Sequence, residues 1–226
     1  MMEDPQWQTL RSEVEKVVDL VDSPLRLAGK DLNWLRVANP DQLLEAAVVG
    51  AGSKSEAELD PFWAATWRAA IGLDAFLARL DLTGTRVLEL GCGSGQAGTA
   101  AAMRGALVTS TDSVELALKV AKLNSWFVHE RIQFRQLIWG QEQLDEPKFP
   151  VLIGSDLVYD PNLFPLLEPC ARQHLAEGGR MYLSEPHRQT GDRFSTWIRQ
   201  AGWKTIEHDI DLNDERVPVR VFECWL

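Results

Sequence analysis

Cysteine, basic charge and long apolar runs are all in short supply in this chain, and each shortage removes a class of protein. The three cysteines, Cys92, Cys170 and Cys224, are odd in number, far apart and without a C-x-x-C pair. That spacing argues against a disulfide framework and against a metal site of the zinc type, and it fits a reducing compartment. Lys and Arg number 23 against 33 Asp and Glu, a net charge of −10. Binding to nucleic acid without regard to sequence, or to an anionic membrane, needs a basic face, so both are disfavoured. No apolar run approaches the ~18 residues of a membrane span. The start, Met1-Met2-Glu3-Asp4-Pro5, lacks the basic and apolar regions of a signal peptide, so a cytoplasmic protein is expected.

What is present suffices for one good core: 226 residues, 45% of them hydrophobic. Trp7, Leu10, Val14, Val17, Val18 and Val21 fall at helical spacing, which predicts an amphipathic helix from about Gln6 to Asp22. An apolar segment from Leu25 to Val37 follows, then a turn at Asn39-Pro40-Asp41 starting a short helix through Leu43, Leu44 and Val48, and a polar loop from Gly50 to Glu58. Residues 1–59 read as a helical N-terminal extension, packed on the core or covering the mouth of a site, and residues 60–226 as the main domain. From Arg86 onward strand and helix patterns alternate, which predicts a doubly wound, mostly parallel α/β sheet with its ligand at the carboxyl ends of the strands. The strand expected after Gly178-Gly179 runs from Arg180 to Ser184.

The most informative stretch runs from Arg86 to Asp112. Val87 to Leu90 is a short apolar run broken by Glu89, the pattern of a buried parallel strand, and Gly91, Gly93 and Gly95 follow at once. Glycines there admit positive φ and let a ligand approach the main chain closely. A helix rich in Ala and Gly comes next, then a second strand from Ala106 to Thr111 that ends in Asp112, placed where a carboxylate meets ribose hydroxyls. The dinucleotide fingerprint wants Gly at the sixth position of the loop, where this chain has Gln96, so NAD is disfavoured. Cys92 has no assignable His or Asn partner and reads as a small buried residue rather than a nucleophile.

Glu-x-Gly-x-Gly-x-Gly with an acid after the next strand resembles motif I of the class I, seven-strand S-adenosylmethionine-dependent methyltransferases, a resemblance that spans roughly Asp60 to Leu226. The Phe62-Trp63-x-x-x-Trp67 stretch, Trp139-Gly140, and Ser155-Asp156-Leu157-Val158-Tyr159-Asp160 narrow it. With these the chain is similar to the family 16 protein lysine methyltransferases, and most of all to bacterial relatives of the enzyme that methylates the β-subunit of electron transfer flavoprotein. The resemblance implies a Rossmann-like sheet of seven strands with the last antiparallel. It places Trp63, Trp67, Glu89, Gly91, Cys92, Gly93, Asp112, Trp139 and Ser155 around S-adenosylmethionine, and Asp156 and Tyr159 at the acceptor. Asp156 would orient the incoming lysine ammonium and Tyr159 would narrow its channel.

One position departs from the family: Ile138 stands just before Trp139-Gly140 where Asp or Asn is common, and it cannot accept a hydrogen bond from the adenine amino group. Ser184-Glu185-Pro186-His187-Arg188 lies at the rim of the same face and could shape the acceptor channel or bind an acidic feature of the substrate. The leading expectation is lysine methylation of a protein substrate, to which an acidic surface is suited. A small-molecule N-methyltransferase and a cofactor-binding interaction protein without turnover are the alternatives. Nucleic-acid methylation fits less well, since no N-P-P-Y motif is present and the charge opposes it.

Overall fold

The computed structural model describes residues 4–40, 43 and 61–226. The helices are α1 (Pro5–Val14), α2 (Arg68–Leu77), α3 (Gln96–Met103), α4 (Glu115–Asn124), α5 (Phe164–His174) and α6 (Gln189–Gln200). A hairpin of β1 (Leu20–Leu27) and β2 (Lys30–Val37) precedes the main sheet. That sheet holds β3 (Arg86–Glu89), β4 (Leu107–Asp112), β5 (Ile132–Gln136), β6 (Phe149–Ser155), β7 (Leu175–Glu185), β8 (Lys204–Ile210) and β9 (Val219–Trp225). Its order is β5-β4-β3-β6-β7-β9-β8, with β9 antiparallel to both neighbours and the other pairings parallel.

Consecutive strand residues serve opposite faces, and both faces are buried. Leu88, Leu152 and Phe222 belong to the core under α5 and α6, whereas their neighbours Val87, Ile153 and Val221 belong to the core under α2 and α3. Strands covered on both sides must be apolar throughout, which is why these segments read as continuous hydrophobic runs. The strand order reverses at β3 and β6, and that switch point opens a crevice above their carboxyl ends.

Two expectations are corrected. β7 begins at Leu175 and passes through Gly178-Gly179, with a register irregularity against β6 between Phe149 and Val151. The N-terminal extension is also less helical than its apolar spacing suggested. Asp4 accepts from the backbone N–H groups of Gln6 and Trp7 and Pro5 opens the first turn, but the helix stops at Val14, well short of Asp22. The chain then forms the β1–β2 hairpin, turned at Ala28 (φ 47°) and Gly29 (φ 75°). Of the valines at helical spacing, Val17 and Val18 fall in the turn after α1 and Val21 in β1, so tertiary contacts override the spacing. Asn124 of α4 accepts from the Leu35 N–H at 2.8 Å and returns a bond to the Leu35 carbonyl at 3.1 Å, tying β2 to the core. The short helix and polar loop expected over 43–58 lie, apart from Leu43, outside the described residues.

The extension props the glycine loop from behind. Trp34 is fully buried and donates from its ring nitrogen to Ser94 Oγ at 3.4 Å, while Asn124 donates to the Ser94 carbonyl at 3.1 Å. Trp7 donates to the Leu123 carbonyl at 3.1 Å, which fixes α1 against α4.

Candidate functional site

Above the carboxyl ends of β3, β4 and β6 lies a cavity of about 290 Å³. Gly91 to Ser94 form its floor, Asp112 to Val114 and Leu137 to Trp139 one wall, and Ser155 to Leu157 with Tyr159 the other; Phe62, Trp63 and Trp67 close over it. Of the expected site residues, Trp63, Trp67, Gly91, Cys92, Gly93, Asp112, Trp139, Ser155, Asp156 and Tyr159 all line this one space.

The floor has its shape for identifiable reasons. Gly93 has φ +51°, and a Cβ there would stand 3.2 Å from the Trp63 carbonyl, so a side chain would strain the loop and crowd the aromatic segment against it. Gly95, at φ +93°, presses against Ala121 of α4, whose Cβ would lie 2.8 Å from an added one. Asp112 binds the loop directly: one oxygen accepts from Gly93 N–H at 2.9 Å and the other from Val114 N–H at 3.0 Å. Burial, followed by the nearby acids Asp112 and Glu89, pushes the Cys92 thiol well above its ordinary pKa, so it stays protonated and behaves as the small buried residue expected.

Glu89 sits beneath the floor, almost wholly buried, and accepts from Gly98 N–H at 2.8 Å and from the Ser110 hydroxyl. Its pKa is raised to about 7, chiefly by burial, with those two hydrogen bonds acting in the opposite direction. Glu89 therefore ties α3 to β3 and β4 under the loop.

Asp156, also buried, has φ +56° and donates its N–H to the Ser184 carbonyl at 2.7 Å. Both of its carboxylate oxygens accept from Arg188: Nη1 bonds Oδ1, and Nη2 bonds Oδ2 at 2.9 Å. The segment after β7, expected to shape the channel or bind a substrate acid, thus binds an acid of its own chain. Aromatic rings stand beside this pair. Phe62 meets Tyr159 edge-on at 5.6 Å between centroids and Trp67 at 6.0 Å, and Trp67 donates from its ring nitrogen to the Phe62 carbonyl at 2.9 Å.

Sequence reasoning passed over two polar residues on the wall, Gln96 and Gln141. Gln96 had mattered only for what it excluded. Its Oε1 accepts from Trp67 N–H at 3.4 Å, which fixes the amide's orientation, and its buried Nε2 has no partner among the described residues. An orphaned buried donor costs ~1–3 kcal/mol unless a ligand supplies an acceptor. Gln141 brings an amide to the wall beside Ile138, the position that lacks the family's usual acceptor.

The family model described as lysine methyltransferase matches residues 56–200. The chain belongs to the lysine methyltransferase family. It is 38% identical over 152 residues to a zebrafish (Danio rerio) protein, "Protein N-lysine methyltransferase METTL21A", covering 61% of this chain and 67% of that one. It is 32% identical over 170 residues to the mouse (Mus musculus) "EEF1A lysine methyltransferase 3", covering 71% of each. Among solved structures, the glycopeptide N-methyltransferase MtfA complexed with S-adenosyl-L-methionine shares the fold, with a TM-score of 0.61 and 15% identity over 70% of this chain and 94% of that one. This methyltransferase uses S-adenosylmethionine as methyl donor, and its function is N-methylation of lysine. The cavity fits such a donor: a floor of glycine backbone, a carboxylate at the end of β4, an orphaned amide donor at Gln96, and an aromatic wall suited to an adenine and a sulfonium.

Proposed function

We infer that the acceptor is a lysine side chain of a protein substrate, entering beside Asp156 and Tyr159, and that the glycine loop, Asp112 and the Trp63, Trp67 and Trp139 rings hold the donor. The observation that carries this reading is one cavity whose lining joins the glycine-loop backbone and a ribose-type acid, at the ends of β3 and β4, to a buried carboxylate and Tyr159 after β6, with Phe62 edge-on to both Trp67 and Tyr159. Bound S-adenosylmethionine supplies an electrophilic methyl group on a cationic sulfur. The chain aligns the amine with it. Asp156 attracts the lysine ammonium, and each of its oxygens retains an acceptor position after Arg188 has taken one. The amine must be neutral to attack, so its proton leaves to water before or during docking. Phe62, Trp67 and Tyr159 narrow the approach and set its direction, the main requirement of an in-line displacement.

A small-molecule acceptor would suit a cavity sealed by the N-terminal extension. The described part of that extension instead packs behind α3 and α4, which favours a protein reaching the cavity from outside. A net charge of −10 suits a lysine-bearing partner. The motif resemblance supports the β-subunit of electron transfer flavoprotein as one candidate acceptor, and one relative's name supplies EEF1A as another. The cysteine usage supports a cytoplasmic setting. The test is transfer of labelled methyl from S-adenosylmethionine into a cell extract and into these two candidate proteins, using wild type and Asp156→Ala. Label in a protein lysine that disappears with the variant supports the reading. Label confined to small metabolites, or transfer unchanged by the variant, overturns it.

A further inference from the structure

We propose that Arg188 is a positioning residue for methyl transfer: from outside the cavity its guanidinium holds both carboxylate oxygens of Asp156, so that the carboxylate can receive the acceptor amine without trapping it as an ammonium. This rests on the reading of Asp156 as the acceptor-binding acid.

The geometry separates the two residues by role. Asp156 faces the cavity with its side chain 5% exposed, whereas Arg188 lies outside the cavity lining with its side chain 36% exposed, and its guanidinium engages both carboxylate oxygens. The same guanidinium carbon stands 5.9 Å from the Trp67 ring centroid, so Arg188 braces two lining residues at once. It is itself built in. Its N–H donates to Glu185 at 2.6 Å, its carbonyl accepts from Arg220 at 3.4 Å, and Arg220 is buried between Glu185 and Asp192 at 2.6 and 2.7 Å.

The charged group bonded to Asp156 is Arg188, from the loop after β7, while Tyr159, Asp112 and Cys92 are the other titratable groups lining the same cavity; Glu185 and Arg220 act at one remove through Arg188. Burial pushes the Asp156 carboxyl above the usual carboxylate range, and the hydrogen bonds and charge of Arg188 act against that push. Glu89 shows the outcome without a cation: buried and bonded only to neutral donors, it is raised to about 7.

A second consequence concerns the substrate. A bare buried carboxylate favours the protonated form of any amine placed within about 4–6 Å, and a protonated amine cannot attack. A guanidinium, which stays charged at every working pH, divides that carboxylate's field and still leaves lone pairs to orient the amine. Removing it raises the Asp156 pKa and also raises the pKa of the docked lysine. Both effects move the ascending limb of the pH–rate profile toward higher pH.

The experiment is the pH profile of kcat and kcat/KM for Arg188→Met, Arg188→Lys and Asp156→Asn, together with carboxyl ¹³C titration of Asp156 in the free enzyme. In Arg188→Met we expect the ascending limb and the Asp156 titration both to move up by about one pH unit or more, with S-adenosylhomocysteine affinity within about twofold of wild type. In Arg188→Lys, which keeps a cation, we expect most of that shift to be absent. An unshifted limb and an unshifted Asp156 titration in Arg188→Met overturn the proposal while leaving Asp156 as acceptor residue intact. Full transfer by Asp156→Asn removes the reading on which the proposal rests. If Arg188→Met does not fold, Arg188→Gln, which keeps a hydrogen-bond donor without the charge, is titrated in its place: an upward shift of the Asp156 titration supports the role, and no shift overturns it.

Discussion

Glu89 and Asp156 invite comparison. They are buried carboxyls at the carboxyl ends of adjacent strands, β3 and β6, and the chain treats them in opposite ways. Glu89 is surrounded by neutral donors, Gly98 N–H and the Ser110 hydroxyl, and burial raises its pKa to about 7. Asp156 is given a guanidinium. Burial raises the Asp156 pKa as well, but there the hydrogen bonds and charge of a guanidinium act against the push and favour the anion at the cavity wall. The β3–β4 side of the site is thus a hydrogen-bonded scaffold for backbone, and the β6–β7 side a charged device kept ready for a cationic partner.

Changing the two acids in the same way should break the symmetry. Glu89→Ala orphans Gly98 N–H and the Ser110 hydroxyl and leaves a void under the loop, so denaturant melts should show a loss of about 3–4 kcal/mol. Glu89→Gln sharpens the point. The native state binds the Glu89 proton more tightly than the unfolded chain, so wild-type stability falls as pH rises from the ordinary value of 4.5 to about 7 and is level above that. That decline, about 3 kcal/mol for a single group shifted this far, should be absent from Glu89→Gln melts across the same window. Gly95→Ala strains the scaffold through its positive φ and its contact with Ala121, and should cost about 2 kcal/mol. Asp156→Ala should cost least, about 1 kcal/mol or less, because the partly exposed Arg188 can turn to water when its partner is gone.

The scaffold side was largely legible in the sequence and the charged side only in part. Strand, glycine loop, helix and terminal acid are consecutive along the chain, so Arg86 to Asp112 could be read locally, and the carboxyl-end positions of Asp156 and Tyr159 followed from the same strand logic. The Asp156–Arg188 pair could not be read, because it joins the ends of two strands that become neighbours only through the sheet order. Gln96 was noticed for the fingerprint it breaks, and only folding shows its amide pinned by Trp67 with a donor left over. The helix expected to Asp22 overran the turn at Val17 and Val18 and the start of β1, because those valines and Val21 fall at helical spacing, and the contact that ties the hairpin to the core, Asn124 with Leu35, spans 89 residues.

The most direct test sets Asp156→Asn beside Glu89→Gln and measures, for each, methyl transfer to a protein lysine and affinity for S-adenosylhomocysteine. The account predicts that Asp156→Asn loses on the order of a hundredfold or more in kcat/KM with affinity near wild type, while Glu89→Gln retains both. Transfer that survives Asp156→Asn, or a collapse of S-adenosylhomocysteine binding in that variant, would contradict it.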